Sequence, residues 1–555
     1  MGKKDKKTNK FDDFYERKYR IFSDYLNNFK NTIDFKGVDY KTYFIKHFEY
    51  EFVYSLKLYC LSEAFNFSLS AKASFIRRSI ESYVYINLAK NDLLDTEHYK
   101  LFKFKLKENR DLIGKKEQDQ ILKKFYLNKC DFFSFLDSHD KVFMFGITSQ
   151  NTSYDHVKYY FENVNDPNFN KEEILDTYNK LGVIIHHNLV SDIKYKNFYI
   201  NKYNKIVSNI VRPILINKIG KEYENSISKN LKTEKIDINK FSKLLTESMS
   251  HFYSLFFNRK YFNEGLVTND QELYFEFMKF ILDYLENFLF LYYFKEFFSF
   301  ECFFKSFLEK CSLYYSLFKL KDDNLVEAKD LKLIMNYYES LIIKRLGENI
   351  DFNNNDEDYV FSLIAKYSKY GNDLNKLKNN INKNPKIILG IYDISYSKVV
   401  KEFLLDFIEN KEFVEDIFLT YQNSISASHS NGDYLTKKDE NDVSKFRDII
   451  FIFGRILKKV SEETKVYDFE FKKHEKAIEE HSKVLEDYNN GDRGFKRYLE
   501  KQGFNNKLTE KLDGIEKFVT KKINEYNETI DKEVDNFLVK LDNIVTKIDK
   551  MNRVN

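Results

Sequence analysis

The sequence predicts an all-α protein with two related helical bundles in tandem and a C-terminal helical hairpin or coiled coil. Residues that break helices are scarce, since the 555 residues include 3 Pro and 16 Gly, which favours long helices over a turn-dense β architecture. Apolar residues recur three and four positions apart along most of the chain, which is the spacing of one helix face. One helical signature also occurs twice, which predicts that the two bundles are related.

The repeated signature reads Ile-x2-Thr-Tyr-x7-His-x-Asn and spans Ile174–Asn188 and Ile417–Asn431. In the first copy, Tyr178 and His186 lie eight positions apart, so both belong to one continuous stripe on the helix. A single hydrophobic core stops growing at about 250 to 300 residues, so a chain of this length is expected to form two or more domains.

The same periodicity predicts the helices of the first bundle in chain order. We expect helices over 43–67 and 71–90, followed by a helix that begins near Lys171 and carries the first signature. The next helix is expected over 201–219, with a kink at Pro213, because proline lacks the backbone N–H that continues the hydrogen-bond ladder.

The second bundle is predicted from a degenerate repeat of this order. A long aromatic helix is expected over 274–318, and the segment KDDNLVEAKD at 321–330 predicts a loop that leads into a helix over 331–346. The second signature predicts a further helix that ends near Asn431. The Pro- and Gly-poor stretch between the two bundles is interpreted as a helical connector.

The C-terminal region is charged and has heptad-like spacing. Apolar residues alternate steps of three and four over 471–488, and again over 508–548 after the turn segment NNGDRG. The second run predicts a helix roughly 60 Å long, at about 1.5 Å per residue. The expected divisions are 1–40 (basic tail and leading helix), 41–219 (bundle 1), 220–273 (connector), 274–457 (bundle 2) and 458–555 (helical hairpin or coiled coil).

Composition excludes several classes of protein. Lys+Arg 90 against Asp+Glu 86 gives a net charge of +4, without the excess typical of a general nucleic-acid coat. The 4 cysteines lack CxxC spacing, so we expect neither zinc nor a disulfide framework, and no other metal or cofactor motif occurs. The most apolar stretch, 280–304, contains five charged residues, which would be costly in lipid. We therefore expect a cytoplasmic protein without a membrane span.

A resemblance appears where the first signature is combined with the helix over 71–90. The stretch SFIRRSIESYVYINLA and the later YNKLGVIIHHN resemble the Arg-x-x-Glu helix and the Tyr-x2-Leu-Ser/Gly-x3-His helix of HEPN-superfamily bundles. The resemblance covers residues 45–215 and, less closely, 285–460. Domains of this superfamily are common in bacterial toxin, abortive-infection and other phage-defence proteins. By this resemblance, Arg78, Glu81, Tyr178 and His186 would line an interhelical cleft.

The residues of that cleft have two alternative interpretations. In a catalytic site, His186 would act as general acid or base and Arg78 would hold a phosphate. In a structural core, tyrosine and histidine on a helix stripe make satisfied hydrogen bonds, with Glu81 or Glu339 as partners. The nuclease form of the superfamily has Arg-x4-6-His within one helix, and no arginine of this sequence is followed by histidine at that spacing.

The second copy retains fewer of these residues. Aligning the helix over 331–346 with the helix over 71–90 places Glu339 on Glu81, while Asn336 stands where Arg78 was. Tyr421 and His429 occupy the signature positions. Because the arginine is lost, the sequence predicts that Glu339, Tyr421 and His429 are structural.

Three functions follow as expectations from these patterns. The first is a binding or regulatory protein of an abortive-infection-like phage-defence system, which forms a homo-oligomer or binds a protein partner through its C-terminal helices and contacts RNA. The second is a metal-independent ribonuclease toxin of HEPN type. The third is a structural protein of a phage or mobile element.

Overall fold

The computed structural model describes residues 13–32, 38–105, 113–124, 153–187, 193–224, 269–347, 352, 354–371, 373–392, 396–408, 411–427, 442–463 and 504–554. Within these ranges every regular element is helical and no strand occurs, which confirms the predicted all-α fold class. Among the same residues, none of the helices combines the length and the apolar character that crossing a membrane requires.

The helices follow the predicted order. Those before residue 225 are α1 (Asp13–Thr32), α2 (Tyr40–Ala64), α3 (Leu69–Lys90), α4 (Thr96–Lys105), α5 (Lys115–Lys124), α6 (Ser153–Asn163), α7 (Lys171–His187), α8 (Ile193–Ile206), a π-helix (Val207–Ile219) and α9 (Gly220–Glu224). Those after residue 268 are α10 (Asn269–Tyr293), α11 (Phe297–Asp322), α12 (Leu331–Arg345), α13 (Asn354–Tyr367), α14 (Leu374–Lys383), α15 (Tyr396–Phe407), α16 (Lys411–Ala427), α17 (Asp442–Glu463) and α18 (Phe504–Val554). Short 3-10 turns, Ala328–Asp330 and Pro385–Leu389, precede α12 and follow α14.

The helices α2 and α3 form the centre of the first group. Each buries residues around most of its circumference, as expected of a helix enclosed by neighbours rather than lying on the surface. The start of α2 is fixed by Asp39, whose carboxylate accepts the backbone N–H of Thr42 at 2.9 Å. Such a cap satisfies one of the backbone donors that a helix N-terminus leaves without an intrahelical partner.

The aromatic helix expected over 274–318 is two helices, α10 and α11, joined by a tight turn. Lys295 in that turn has a φ of 57°, a left-handed conformation that interrupts the helix. The next residue, Glu296, is buried and accepts the Tyr54 hydroxyl at 2.8 Å, while Lys57 pairs with the same carboxylate. These partners on α2 are distant in sequence, so local periodicity did not predict the break.

The helix expected over 201–219 also changes its geometry. It is α-helical to Ile206 and then becomes the π-helix, whose last turn is closed by the Gly220 N–H donating to the Leu215 carbonyl, five residues back. Pro213 lies inside this segment, where the sequence predicted a kink in an α-helix. The wider turn accommodates a residue that donates no backbone hydrogen bond.

The chain divides into two compact units. Unit 1 consists of Met1–Lys235, Asn287–Lys319 and Met335–Ile449, and unit 2 of Ile236–Glu286, Leu320–Ile334 and Ile450–Asn555. The tandem boundaries expected from the repeat stay a prediction. Helical periodicity identifies helices, but it does not determine which helices pack together.

In unit 2, the long helix α18 bears out the predicted C-terminal helix. Its second half buries an apolar stripe that runs from Ile530 to Ile548. Gly454 on α17 permits close packing, since a Cβ at that position would lie 3.0 Å from Leu538 Cδ2. The other predicted arm, 471–488, lies outside the described residues.

Candidate functional site

The first signature helix, α7, packs against α3 through a buried polar cluster. The Tyr178 hydroxyl donates a hydrogen bond to the carboxylate of Glu81, which is 1% exposed. Arg77 Nε lies 3.5 Å from Glu81 Oε1, and the Arg77 guanidinium lies 4.5 Å from the centroid of the Tyr178 ring. We call Arg77, Glu81 and Tyr178 the Tyr178 cluster.

Helical spacing positions the members of this cluster. Arg77 and Glu81 are four residues apart and therefore lie on the same face of α3. On α7, Tyr178 is followed four residues later by Gly182, and a Cβ at Gly182 would lie 3.4 Å from Arg77 Nη1. The backbone of α7 therefore lies within van der Waals reach of the guanidinium at this position.

The Tyr178 hydroxyl is held in its protonated form. Burial raises its pKa well above the ordinary value, and of its two charged neighbours Arg77 lowers the pKa while Glu81 raises it. Tyr178 is therefore a hydrogen-bond donor at neutral pH rather than a base. This arrangement agrees with the structural interpretation, in which Glu81 satisfies a core tyrosine.

Arg78 does not join this cluster, which corrects the expectation that it would line a cleft with Tyr178 and Glu81. It extends to α2, where its Nη2 lies 3.1 Å from Glu51 Oε1, and the two side chains are 1% and 0% exposed. Consecutive residues on an α-helix point about 100° apart, so only one of the two arginines of α3 can face α7. The four-residue spacing of Arg77 and Glu81 is the sequence pattern that indicates Arg77, whereas the resemblance indicated Arg78.

The structure describes the two signature histidines only in part. His186 lies in the last turn of α7, and the structure does not describe its side chain, while His429 lies outside the described residues. The backbone near the end of α7 is bonded to two other helices. Its Ile184 carbonyl accepts the Ser70 hydroxyl of α3, and its Ile185 carbonyl accepts the Ser306 hydroxyl of α11, each at 3.2 Å.

The second signature helix, α16, makes a similar arrangement with α11. The Tyr421 hydroxyl donates to Glu309 Oε1 at 3.3 Å, and Lys305 Nζ lies 3.9 Å from the same oxygen. Lys305 and Glu309 thus repeat the four-residue spacing of Arg77 and Glu81. We call Lys305, Glu309 and Tyr421 the Tyr421 cluster.

This arrangement matches a different helix with α3 than the sequence alignment did. Glu309 on α11 occupies the role that the sequence assigned to Glu339, which is a buried residue of α12. By its contacts, α11 is therefore the counterpart of α3. Apolar residues recur three and four positions apart on both α11 and α12, so periodicity alone could not show which of these helices corresponds to α3.

Removing the Tyr178 hydroxyl should destabilise the protein without loss of the ring contact. For Tyr178→Phe we expect a decrease of about 1.5 to 3 kcal/mol in the free energy of unfolding, because a buried hydrogen bond to a charged group is lost. Urea unfolding followed by circular dichroism measures this value. For Tyr421→Phe the loss should be smaller, since its bond of 3.3 Å is long for this class. Wild-type stability in both variants would contradict a structural role for the two clusters.

These clusters can stabilise helix packing, but they do not form a metal site. Within the described residues, no three His, Cys, Asp or Glu side chains are grouped as metal ligands would be. No protein-family model, curated protein or solved structure matches the chain.

Proposed function

We propose that this protein is a non-catalytic binding or regulatory component of a bacterial phage-defence system of the abortive-infection kind. The observation that supports a non-catalytic role is the buried ion pair of Arg78 with Glu51. The phage-defence setting derives from the resemblance of α3 and α7 to HEPN-superfamily helices. Assembly through the C-terminal helices is part of the proposal, because α18 carries the heptad-like spacing of a coiled coil.

The ion pair argues against phosphate binding by Arg78. A phosphate would have to displace the Glu51 carboxylate and enter a position at which the arginine is 1% exposed. Removing a guanidinium from a buried carboxylate leaves a charge in a medium of low dielectric constant, at a cost of about 3 to 5 kcal/mol. Arg77 likewise contacts the carboxylate of Glu81. Both arginines of α3 are thus engaged in helix packing.

RNA cleavage by the purified chain tests this proposal. We expect labelled single-stranded RNA to remain intact in the presence of EDTA, while a gel-shift assay on the same sample tests RNA binding and light scattering tests assembly. The matched variant is His186→Ala, with its folding checked by circular dichroism. Because this substitution changes no member of the pairs Arg77–Glu81 and Arg78–Glu51, it tests catalysis with the residues of both pairs unchanged.

The alternative functions give different results. RNA cleavage that His186→Ala abolishes in a folded protein would establish the metal-independent ribonuclease and overturn the proposal. Expression of the chain in bacteria should also reduce phage plating, and this protection should persist in His186→Ala. Unchanged plating, with a monomer in solution, would favour the third interpretation, a structural protein of a phage or mobile element.

A further inference from the structure

The surface formed by α14, the end of α13 and the turn between them is strongly basic. Segment 359–392 contains 6 lysines and 1 acidic residue, a net charge of +5, whereas the whole chain carries +4. The acidic residue, Asp373, accepts the backbone N–H of Lys376 at 2.9 Å and so caps the N-terminus of α14. This short part of unit 1 is therefore far more basic than the chain as a whole.

The amphipathic pattern of α14 directs its charges outward. Leu377 and Ile381 are buried, and the other positions of the helix carry lysine or asparagine, apart from Leu374 at its start. Lys376 and Lys383 are exposed and lie seven residues apart, so they share one side of the helix. Neither of these lysines forms an ion pair among the described residues. Both ammonium groups are therefore available to an anionic ligand.

Two partly exposed tyrosines lie beside these lysines. Lys369 Nζ is 5.2 Å from the centroid of the Tyr370 ring and 4.9 Å from that of the Tyr392 ring. Lys376 Nζ is 5.9 Å from the Tyr370 centroid, and the two rings are 6.3 Å apart. The Tyr392 hydroxyl donates to the Tyr367 carbonyl at 3.0 Å and accepts the Lys369 backbone N–H at 3.3 Å, which fixes its ring. We call Lys369, Tyr370, Lys376, Lys383 and Tyr392 the α14 surface.

The composition of the α14 surface selects among anionic ligands. An acidic protein would need only the lysines, and a membrane would need apolar side chains to insert, of which the outward positions of α14 include only Leu374. Single-stranded nucleic acid uses both features of the surface, because its phosphates bind ammonium groups and its bases stack on aromatic rings. The exposed Asn375 and Asn379 add amide oxygens that can accept a hydrogen bond from a ribose 2′-hydroxyl, which favours RNA over DNA.

We propose that the α14 surface binds single-stranded RNA. Phosphate groups bind Lys369, Lys376 and Lys383, and a base stacks on the ring of Tyr370. The surface shares no residue with the Tyr178 cluster or the Tyr421 cluster. The inference rests on the proposed role of this protein in binding rather than in RNA cleavage, and it gives that role a ligand and an interface.

Fluorescence anisotropy of the full chain with a labelled oligouridine, at several KCl concentrations, tests the proposal. Lys376→Gln combined with Lys383→Gln should weaken binding by about tenfold and should reduce the slope of log affinity against log salt by about 0.7 for each lysine. Tyr370→Leu should weaken binding by about fivefold or more at every salt concentration, because it removes a stacking platform but no charge. The wild-type chain should bind oligouridine more tightly than the matching oligodeoxyuridine.

Lys115→Gln combined with Lys116→Gln is the matched control, since both lysines are exposed on α5 and the change in net charge is the same. It should leave the affinity and the salt slope unchanged, and thermal unfolding by circular dichroism should show that every variant is folded. Absence of oligouridine binding, or an equal loss in the control and in the α14 variant, would overturn the interface.

Two further outcomes concern the ligand and the proposed function. If oligodeoxyuridine and heparin bound as tightly as oligouridine, and Tyr370→Leu changed none of the affinities, the surface would bind polyanions in general and the RNA assignment would be wrong. Failure of the interface leaves the proposed function in place, because a protein partner would equally serve a binding role. Cleavage of the oligouridine by the folded chain, in contrast, would contradict the proposed function itself.

Discussion

Arg78→Met should lower the free energy of unfolding by about 3 to 5 kcal/mol, because it removes the guanidinium from the buried carboxylate of Glu51. The chain contains 0 Trp, so urea unfolding is best followed by circular dichroism. Arg78 and Glu51 lie on α3 and α2, the two central helices, so the loss should affect unfolding of unit 1 as a whole.

A double variant separates the ion pair from the packing of the two side chains. Arg78→Met combined with Glu51→Leu leaves no buried charge at this position, so it should recover most of the stability lost in Arg78→Met alone. If Arg78→Met were as stable as wild type, the assignment of Arg78 to the helix core would be wrong. The expected loss also bears on functional assays, since inactivity of an Arg78 variant would first have to be distinguished from unfolding.

Lys310→Met should raise the stability of the protein at neutral pH. Lys310 is 2% exposed on α11 and donates a hydrogen bond to Ser70 on α3. Burial lowers its pKa to about 7, and Glu309 opposes this shift only in part. Below pH 7, the folded protein therefore carries a buried ammonium group, which methionine avoids.

The pH dependence of this effect has a definite sign. In the unfolded chain Lys310 keeps its proton up to about pH 10.5, whereas in the folded chain it loses the proton near pH 7. Between these values the unfolded state binds one proton more, so the unfolding free energy contributed by Lys310 increases with pH. The advantage of Lys310→Met should thus be largest below pH 7, on the order of 4 kcal/mol.

The measurement is urea unfolding of both proteins at pH 6.5, 7.5 and 8.5. The difference in unfolding free energy between variant and wild type should decrease by up to about 1.4 kcal/mol per pH unit above pH 7. Lys319→Met, at an exposed position of the same helix, is the control and should show a constant difference. A constant difference for Lys310→Met as well would show that Lys310 does not titrate in this window.

The sequence predicted the elements that depend on local patterns. The helices α3, α7 and α18 were expected from apolar spacing, and their bounds differ from the expected ones by a few residues. The break between α10 and α11 was not expected, because Glu296 is held by partners on α2 that no local pattern reveals.

The candidate site was predicted in part. The sequence identified Tyr178 and Glu81, and it offered their hydrogen bond as one of two interpretations. It selected Arg78 instead of Arg77, because the two arginines are neighbours on one helix and the sequence does not show which of them faces α7. It selected Glu339 instead of Glu309, because both glutamates lie on helices with similar apolar spacing. The direction of a side chain depends on the packing of the helices, which becomes known only with the fold.

The serine hydroxyls that donate to the end of α7 restrict the motion of its last turn. A helix terminus ordinarily frays, because its last carbonyls lack intrahelical partners. Here Ser70 and Ser306 hold the carbonyls of Ile184 and Ile185 from two different helices. Fraying of this turn therefore breaks hydrogen bonds to both α3 and α11, so we expect its amide hydrogens to exchange with solvent more slowly than those of an unbonded helix end.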